Sequence, residues 1–132
     1  MARVAFNGNP VTTAGDLPAV GEMAPDFALA GKDLSDITLK EFAGKTVVLN
    51  IFPSIDTPVC AASVRPFNAE AAALGDTVVL CISADLPFAA GRLCTVEGID
   101  KALPASSFRA PEFGVQYGVA ITDGPLRGLL SR

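Results

Sequence analysis

Residues 46–54, TVVLNIFPS, and residues 76–84, DTVVLCISA, are continuous runs of aliphatic and β-branched side chains with almost no polar alternation. A strand covered on one face alternates and a strand covered on both does not, so each run predicts a strand buried on both faces. Between them lies a stretch of helix length that starts at Thr57-Pro58. Strand, helix, strand is the βαβ unit, whose strands lie parallel because a tight turn cannot join them. The fold class is α/β.

Working outward from that unit, RVAFNGNPVT (3–12) has two short β-favouring runs around Asn7-Gly8. That pair tolerates positive φ and marks a hairpin turn. LPAVGEMAPDFAL (17–29) is rich in Pro and Gly and reads as extended loop with Phe27 and Leu29 buried. DITLKEFAGK (36–45) predicts one or two helical turns stopped by Gly44. On the C-terminal side, LPFAAGRLCTVEGID (86–100) is partly helical, LPASSF (103–108) extended, and APEFGVQYGV (110–119) helical again. VAITDGPLRGLLSR (119–132) opens like a strand. With no repeat, low-complexity tract or linker, one α/β domain over residues 1–132 is expected.

Half of the 132 residues are apolar, enough for a single core. Ten Lys plus Arg against fourteen Asp plus Glu leave a charge of −4, which argues against a nucleic acid partner. No segment has the apolar length to cross a bilayer, and the N-terminus lacks the apolar core of a signal peptide. A soluble, cytoplasmic protein is expected, with no membrane partner. Cys60, Cys81 and Cys94, without any histidine or C-x-x-C, suit neither a secreted disulfide framework nor a zinc site.

A nucleophilic cysteine usually has a histidine to take its proton, and here there is none. Thr57 is a good N-cap and Pro58 suits the first helical position, which makes Cys60 the third residue of the helix. Unpaired N–H groups and the positive end of the dipole favour a thiolate there. Pro53 ends the strand, the Thr57 hydroxyl lies within reach of the sulfur, and Pro66 is expected to kink the helix. The bland alternative is that a cysteine in an apolar chain fills space, since free cysteine is among the most buried residue types. That reading is adopted for Cys81, in the middle of a strand. For Cys60 both readings stand on physics alone, with Cys94 as an available thiol partner.

FPSIDTPVC (52–60) resembles the peroxiredoxin pattern P-x-x-x-T-x-x-C through Pro53, Thr57 and Cys60, and GEMAPDF (21–27) resembles the segment leading into that family's sheet. The runs LNIFPSIDTPVCAASVRPFN (49–68) and VVLCISADLPFAAGRLC (78–94), with the N-terminal hairpin, are similar to the bacterial thiol peroxidase subgroup, atypical two-cysteine peroxiredoxins. The similarity extends over the whole chain. It implies a thioredoxin-like fold: a central mixed sheet flanked by helices, with an N-terminal β-hairpin.

The implied activity is reduction of hydrogen peroxide and organic hydroperoxides. Cys60 matches the peroxidatic cysteine, which becomes a sulfenic acid, and Cys94 the resolving cysteine, which closes an intrachain disulfide. Thioredoxin is the implied reductant and a homodimer the implied assembly. Thr57 holds peroxide and thiolate, Pro53 shields the sulfenic acid, and no metal, haem or flavin is called for.

The pattern also needs an arginine that polarises the peroxide. Arg65, five positions past Cys60 at about 100° per residue, points away from it. Arg92, Arg109 and Arg127 read as surface charges. GPLRGLLSR (124–132) matches the subgroup segment whose last arginine is catalytic, which selects Arg132. Relatives continue past that arginine, so their C-terminal strands and helix are expected to be missing, with a sheet edge exposed. Two rival functions remain: a thioredoxin-like thiol–disulfide oxidoreductase, and a non-catalytic truncated relative.

Overall fold

The computed structural model describes residues 2–56 and 58–132, the side chains of residues 58–61, 71 and 72 excepted. The two apolar runs form parallel strands β5 (Thr46–Ile51) and β6 (Thr77–Ser83), paired from Thr46↔Thr77 to Ile51↔Ile82 and joined through helix α1 (Pro58–Ala73). Upstream lie β1 (Arg3–Phe6), β2 (Asn9–Thr12), β3 (Ala28–Ala30) and β4 (Asp36–Thr38); downstream lie α2 (Pro87–Glu97), β7 (Ala102–Ser106) and α3 (Glu112–Gln116). The main sheet runs β4-β3-β7-β6-β5, with β5, β6 and β7 parallel and β3 antiparallel to both β4 and β7. The expected mixed sheet with flanking helices is present.

Strand β6 explains the absence of alternation in its sequence. Leu80 and Ile82 point into a core with Phe27, Phe113, Tyr117 and Leu130, while Val79 and Cys81 point into another with Phe52, Val64 and Cys94. Successive side chains face opposite ways, so a strand between two cores is apolar at every position. Each Val, Leu or Ile buried in this way contributes about 1.5–3 kcal/mol. In the first core Phe113 stacks on Tyr117 with centroids 4.6 Å apart, Phe27 meets Phe113 edge-on, and the Tyr117 hydroxyl donates to Pro25 O at 2.7 Å.

Strand β5 departs from the expectation. It stops at Ile51, short of Ser54, and is only half-buried, because it stands at the end of the sheet with β6 as its single neighbour. Of residues 36–45, expected to make one or two helical turns, Leu39–Phe42 form a single 3-10 turn, while residues 36–38 form β4, paired with β3 from Ala28↔Thr38 to Ala30↔Asp36. Thr38 N–H donates to Glu41 Oε1 at 3.2 Å, fixing the switch from strand to turn. Helix α1 continues through Pro66 as one element.

The N-terminal hairpin forms as expected, with Asn7 and Gly8 at φ 51° and 81°. It is a separate two-stranded sheet, bound to the C-terminal segment. Thr12 N–H donates to Asp123 Oδ1 at 2.8 Å, Thr122 N–H to Thr12 O at 2.9 Å, and Ala14 N–H to Ala120 O at 2.8 Å. The strand anticipated from residue 119 is reduced to isolated bridges, Thr13↔Ile121 and Ala120↔Leu130. Gly124 and Gly128 at positive φ fold that segment into turns in place of an extended run. Among the described residues no helix is long and apolar enough to cross a membrane.

Candidate active site

At the C-terminal end of β5, Phe52 is fully buried and its N–H donates to Ile82 O at 3.1 Å, extending the β5–β6 pairing by one bond. Pro53 has no N–H to offer, and the ladder ends there. The loop that follows is held by Asp85, two residues past the end of β6. Its Oδ1 accepts from Ser54 Oγ at 2.7 Å, and its Oδ2 from Ile55 N–H at 2.6 Å and Ser83 Oγ at 2.7 Å. Asp56 N–H donates to Ser54 Oγ at 3.2 Å, and Ile55 is buried beside Phe52, Val64 and Cys94. Asp85 was not singled out from the sequence. The signal available was its place at the C-terminal end of a central parallel strand, where sites in α/β sheets collect.

Helix α1 starts at Pro58, which places Cys60 third in it. Thr57 and the Cys60 side chain lie outside the described residues. Beyond the first turn the helix is tied down: Asn68 Oδ1 accepts from Lys101 N–H at 2.7 Å and Ala102 N–H at 2.9 Å, and Asn50 Nδ2 donates to Ser63 Oγ at 3.5 Å. Arg65 Nε pairs with Glu97 Oε2 at 3.2 Å, linking α1 to α2.

Cys94, in the last turn of α2, is buried in the same core as Ile55 and Val64, the latter one turn beyond Cys60. Burial pushes its thiol pKa up, with Lys32 acting weakly the other way. Cys81 is more strongly affected: burial raises it to about 11, against a lowering hydrogen bond from Asn50. Neither sulfur is in a disulfide. Cys81 is buried within β6 as expected, a setting that disfavours the reactive thiolate.

Pro53 and Arg132 line one cavity of about 420 Å³, walled mainly by Phe6, Val11, Ile121 and Leu129. Hairpin β1–β2 supplies one wall and the C-terminal segment another. Arg132 also borders an adjoining cavity of about 360 Å³, with Leu17, Leu49 and Asn50. Its approach is fixed by Ser131 N–H donating to Val119 O at 2.8 Å. The other candidate arginines are placed elsewhere. Arg65 is paired to Glu97, Arg109 to Asp36 at 2.9 Å, Arg127 is exposed in the turn after Gly124, and Arg92 borders a groove with Ile55 and Asp56. The structure therefore brings together Pro53 and Arg132, 79 positions apart in the sequence (132 − 53).

The Redoxin family profile matches residues 19–132. Over all 132 residues the chain is 57% identical to a protein of Mycobacterium bovis named thiol peroxidase, covering 79% of that protein. A crystal structure of a peroxiredoxin-like protein from Aquifex aeolicus superposes with a TM-score of 0.89 at 37% identity, over 98% of this chain and 75% of that one. A thiol peroxidase from Chromobacterium violaceum superposes with a TM-score of 0.85 at 23% identity, over 97% and 75%, and speaks for the fold alone. The fold is the thioredoxin-like fold of the peroxiredoxins.

Proposed function

The chain belongs to the redoxin family, and from that membership we propose a thiol-dependent peroxidase, in one domain over residues 1–132, whose redox centre is Cys60. The Cys60 thiolate attacks a hydroperoxide oxygen. An S–O bond forms, the O–O bond breaks, and the electron pair leaves with the alkoxide or hydroxide, which takes up a proton. Cys94 then attacks the sulfenic sulfur; an S–S bond forms and water departs. A dithiol of the thioredoxin class reduces the disulfide and becomes oxidised itself.

The observation that carries this reading is the cavity where Pro53, at the start of the loop leading to Cys60, meets Arg132. A guanidinium there offsets the negative charge of the thiolate and of the departing oxygen, and favours the ionised thiol. The helix N-terminus acts in the same direction. Pro53 walls the loop against water, and the Thr57 hydroxyl is assigned to holding the peroxide. The apolar lining suits organic hydroperoxides as well as hydrogen peroxide. A cytoplasmic homodimer is the assembly proposed; the exposed Leu86 before α2, and Phe88 and Val96 on it, supply apolar surface for it.

The test is a thiol titration with one equivalent of peroxide. Rapid loss of two thiols is expected, abolished by Cys60→Ser and retained in Cys81→Ser. Slow reaction with peroxide but fast exchange with disulfides would make the protein an oxidoreductase instead. Equal damage from both substitutions would remove Cys60 from its role.

A further inference from the structure

We propose that Asp85 is a positioning residue that sets the balance between the two chemical steps, an inference that rests on the peroxidase reading above. Its carboxylate lies one residue before Leu86, the N-cap of α2, and accepts hydrogen bonds from Ser54 Oγ and Ile55 N–H in the loop before α1. One side chain thus ties the start of the Cys60 helix to the start of the Cys94 helix. The carboxylate is itself fixed, by Ser83 Oγ on Oδ2 and by Ser83 Oγ accepting from Asp85 N–H at 3.3 Å. The Asp85 carbonyl also accepts from Ser106 Oγ on β7.

The attachments of α1 make the location of this clamp matter. Past its first turn the helix is held through Ser63, Arg65 and Asn68. On the N-terminal side the loop Ser54–Asp56 is held by Asp85 and by the burial of Ile55. The two chemical steps need opposite things of that loop. Attack on peroxide needs Cys60 fixed relative to Pro53 and Arg132, where a displacement of an ångström is costly in rate. Disulfide formation needs the same turn to yield, because Cys94 is 6% exposed and buried in one core with Ile55 and Val64. A clamp on Ser54 and Ile55 favours the first step and restrains the second.

The experiment follows the two steps separately in Asp85→Ala and Asp85→Asn. Sulfenic acid formation is measured against peroxide concentration, and resolution as the concentration-independent phase that follows. Amide exchange at Ile55 and alkylation of Cys60 by iodoacetamide are measured alongside. In Asp85→Ala the peroxide step is expected to slow by roughly tenfold or more, resolution to speed up, and the Ile55 amide to exchange at least about tenfold faster. Asp85→Asn, which keeps one acceptor oxygen, should fall between Asp85→Ala and the parent chain in all three, and serves if Asp85→Ala does not fold.

Both steps slowing in proportion to lost thermal stability would overturn the proposal, as would two unchanged rates. Faster alkylation of Cys60 in Asp85→Asn would also overturn it, by showing that the carboxylate acts through its charge. If the parent chain proves inert to peroxide, the peroxidase reading fails, while Ile55 exchange still decides whether Asp85 holds this loop.

Discussion

Oxidising Cys60 and Cys94 to a disulfide is expected to change the thermal stability of this protein very little, although cross-links of this span usually stabilise. Loop-closure entropy assigns the span from Cys60 to Cys94 about 4 kcal/mol, gained by restricting the unfolded chain. The folded state gives much of this back. Ile55 is 2% exposed and shares a core with Cys94, so bringing the sulfurs together is expected to unseat it, at about 2 kcal/mol. Its N–H bond to the Asp85 carboxylate, 2.6 Å long, is lost with it, at about 2 kcal/mol more. Gain and loss nearly cancel, and the oxidised form should lie within about 1.5 kcal/mol of the reduced one, a Tm shift below about 6 °C for a chain of this size. Scanning calorimetry of peroxide-treated and dithiothreitol-treated protein measures this, with Cys94→Ser as the control that cannot form the bond. A rise of more than about 10 °C on oxidation would mean that the sulfurs meet without disturbing Ile55, and would refute this reasoning.

Three further outcomes are expected. Cys94→Ser should consume one equivalent of peroxide and stop as a sulfenic acid, detected by dimedone labelling; sustained turnover with thioredoxin would show that Cys94 is not the resolver. Burial raises Cys81 from 9.0 to about 11, so the unfolded chain loses this proton first as pH rises. Stability is then complete below pH about 9 and falls by up to about 3 kcal/mol on the way to 11, with Cys94 adding in the same direction; urea titrations should show a shallower alkaline decline in Cys81→Ala, and an unchanged decline would refute the assignment. Phe52→Ala, which empties a fully buried site directly before Pro53, should cost about 3–5 kcal/mol in denaturant melts; a loss below about 1 kcal/mol would show that Phe52 does not anchor this end of β5.

The parts legible in the sequence were those with a local cause. Asn7-Gly8 specified the hairpin, the apolar run of β6 reported two buried faces, and Thr57-Pro58 predicted a helix that does begin at Pro58. The misses share a dependence on distant partners. Residues 36–38 are extended because β3 pairs with them, and residues 119–132 form isolated bridges to Thr13 and within the segment, with further hydrogen bonds to Thr12 and Ala14, in place of a strand. The half-burial of β5 depends on its place in the strand order, which its own composition cannot report. At the candidate site, the place of Cys60 third in its helix was readable from Thr57-Pro58, whereas Pro53, Cys94 and Arg132 entered as candidates through resemblance. Asp85 was readable in neither way, because its role comes from the fold bringing it against a loop 30 positions earlier.

The pairing of the hairpin with the C-terminal segment bears on the order in which the molecule assembles. Thr12 and Asp123 are 111 positions apart, whereas the unit from β5 to β6 closes within the span 46–83. Contacts of such long separation form late, since nearly the whole chain has to be ordered before they offset the entropy of closing the loop. During synthesis the βαβ unit carrying Cys60 is available well before the hairpin residue Thr12 meets Thr122 and Asp123. Until residues 119–132 arrive, Pro53 has no arginine opposite it and the Phe6 wall has no counterpart. The nascent protein therefore passes through a stage in which Cys60 has a helix but the cavity beside Pro53 has no second wall, and pairing of Ala14 with Ala120 marks the end of that stage.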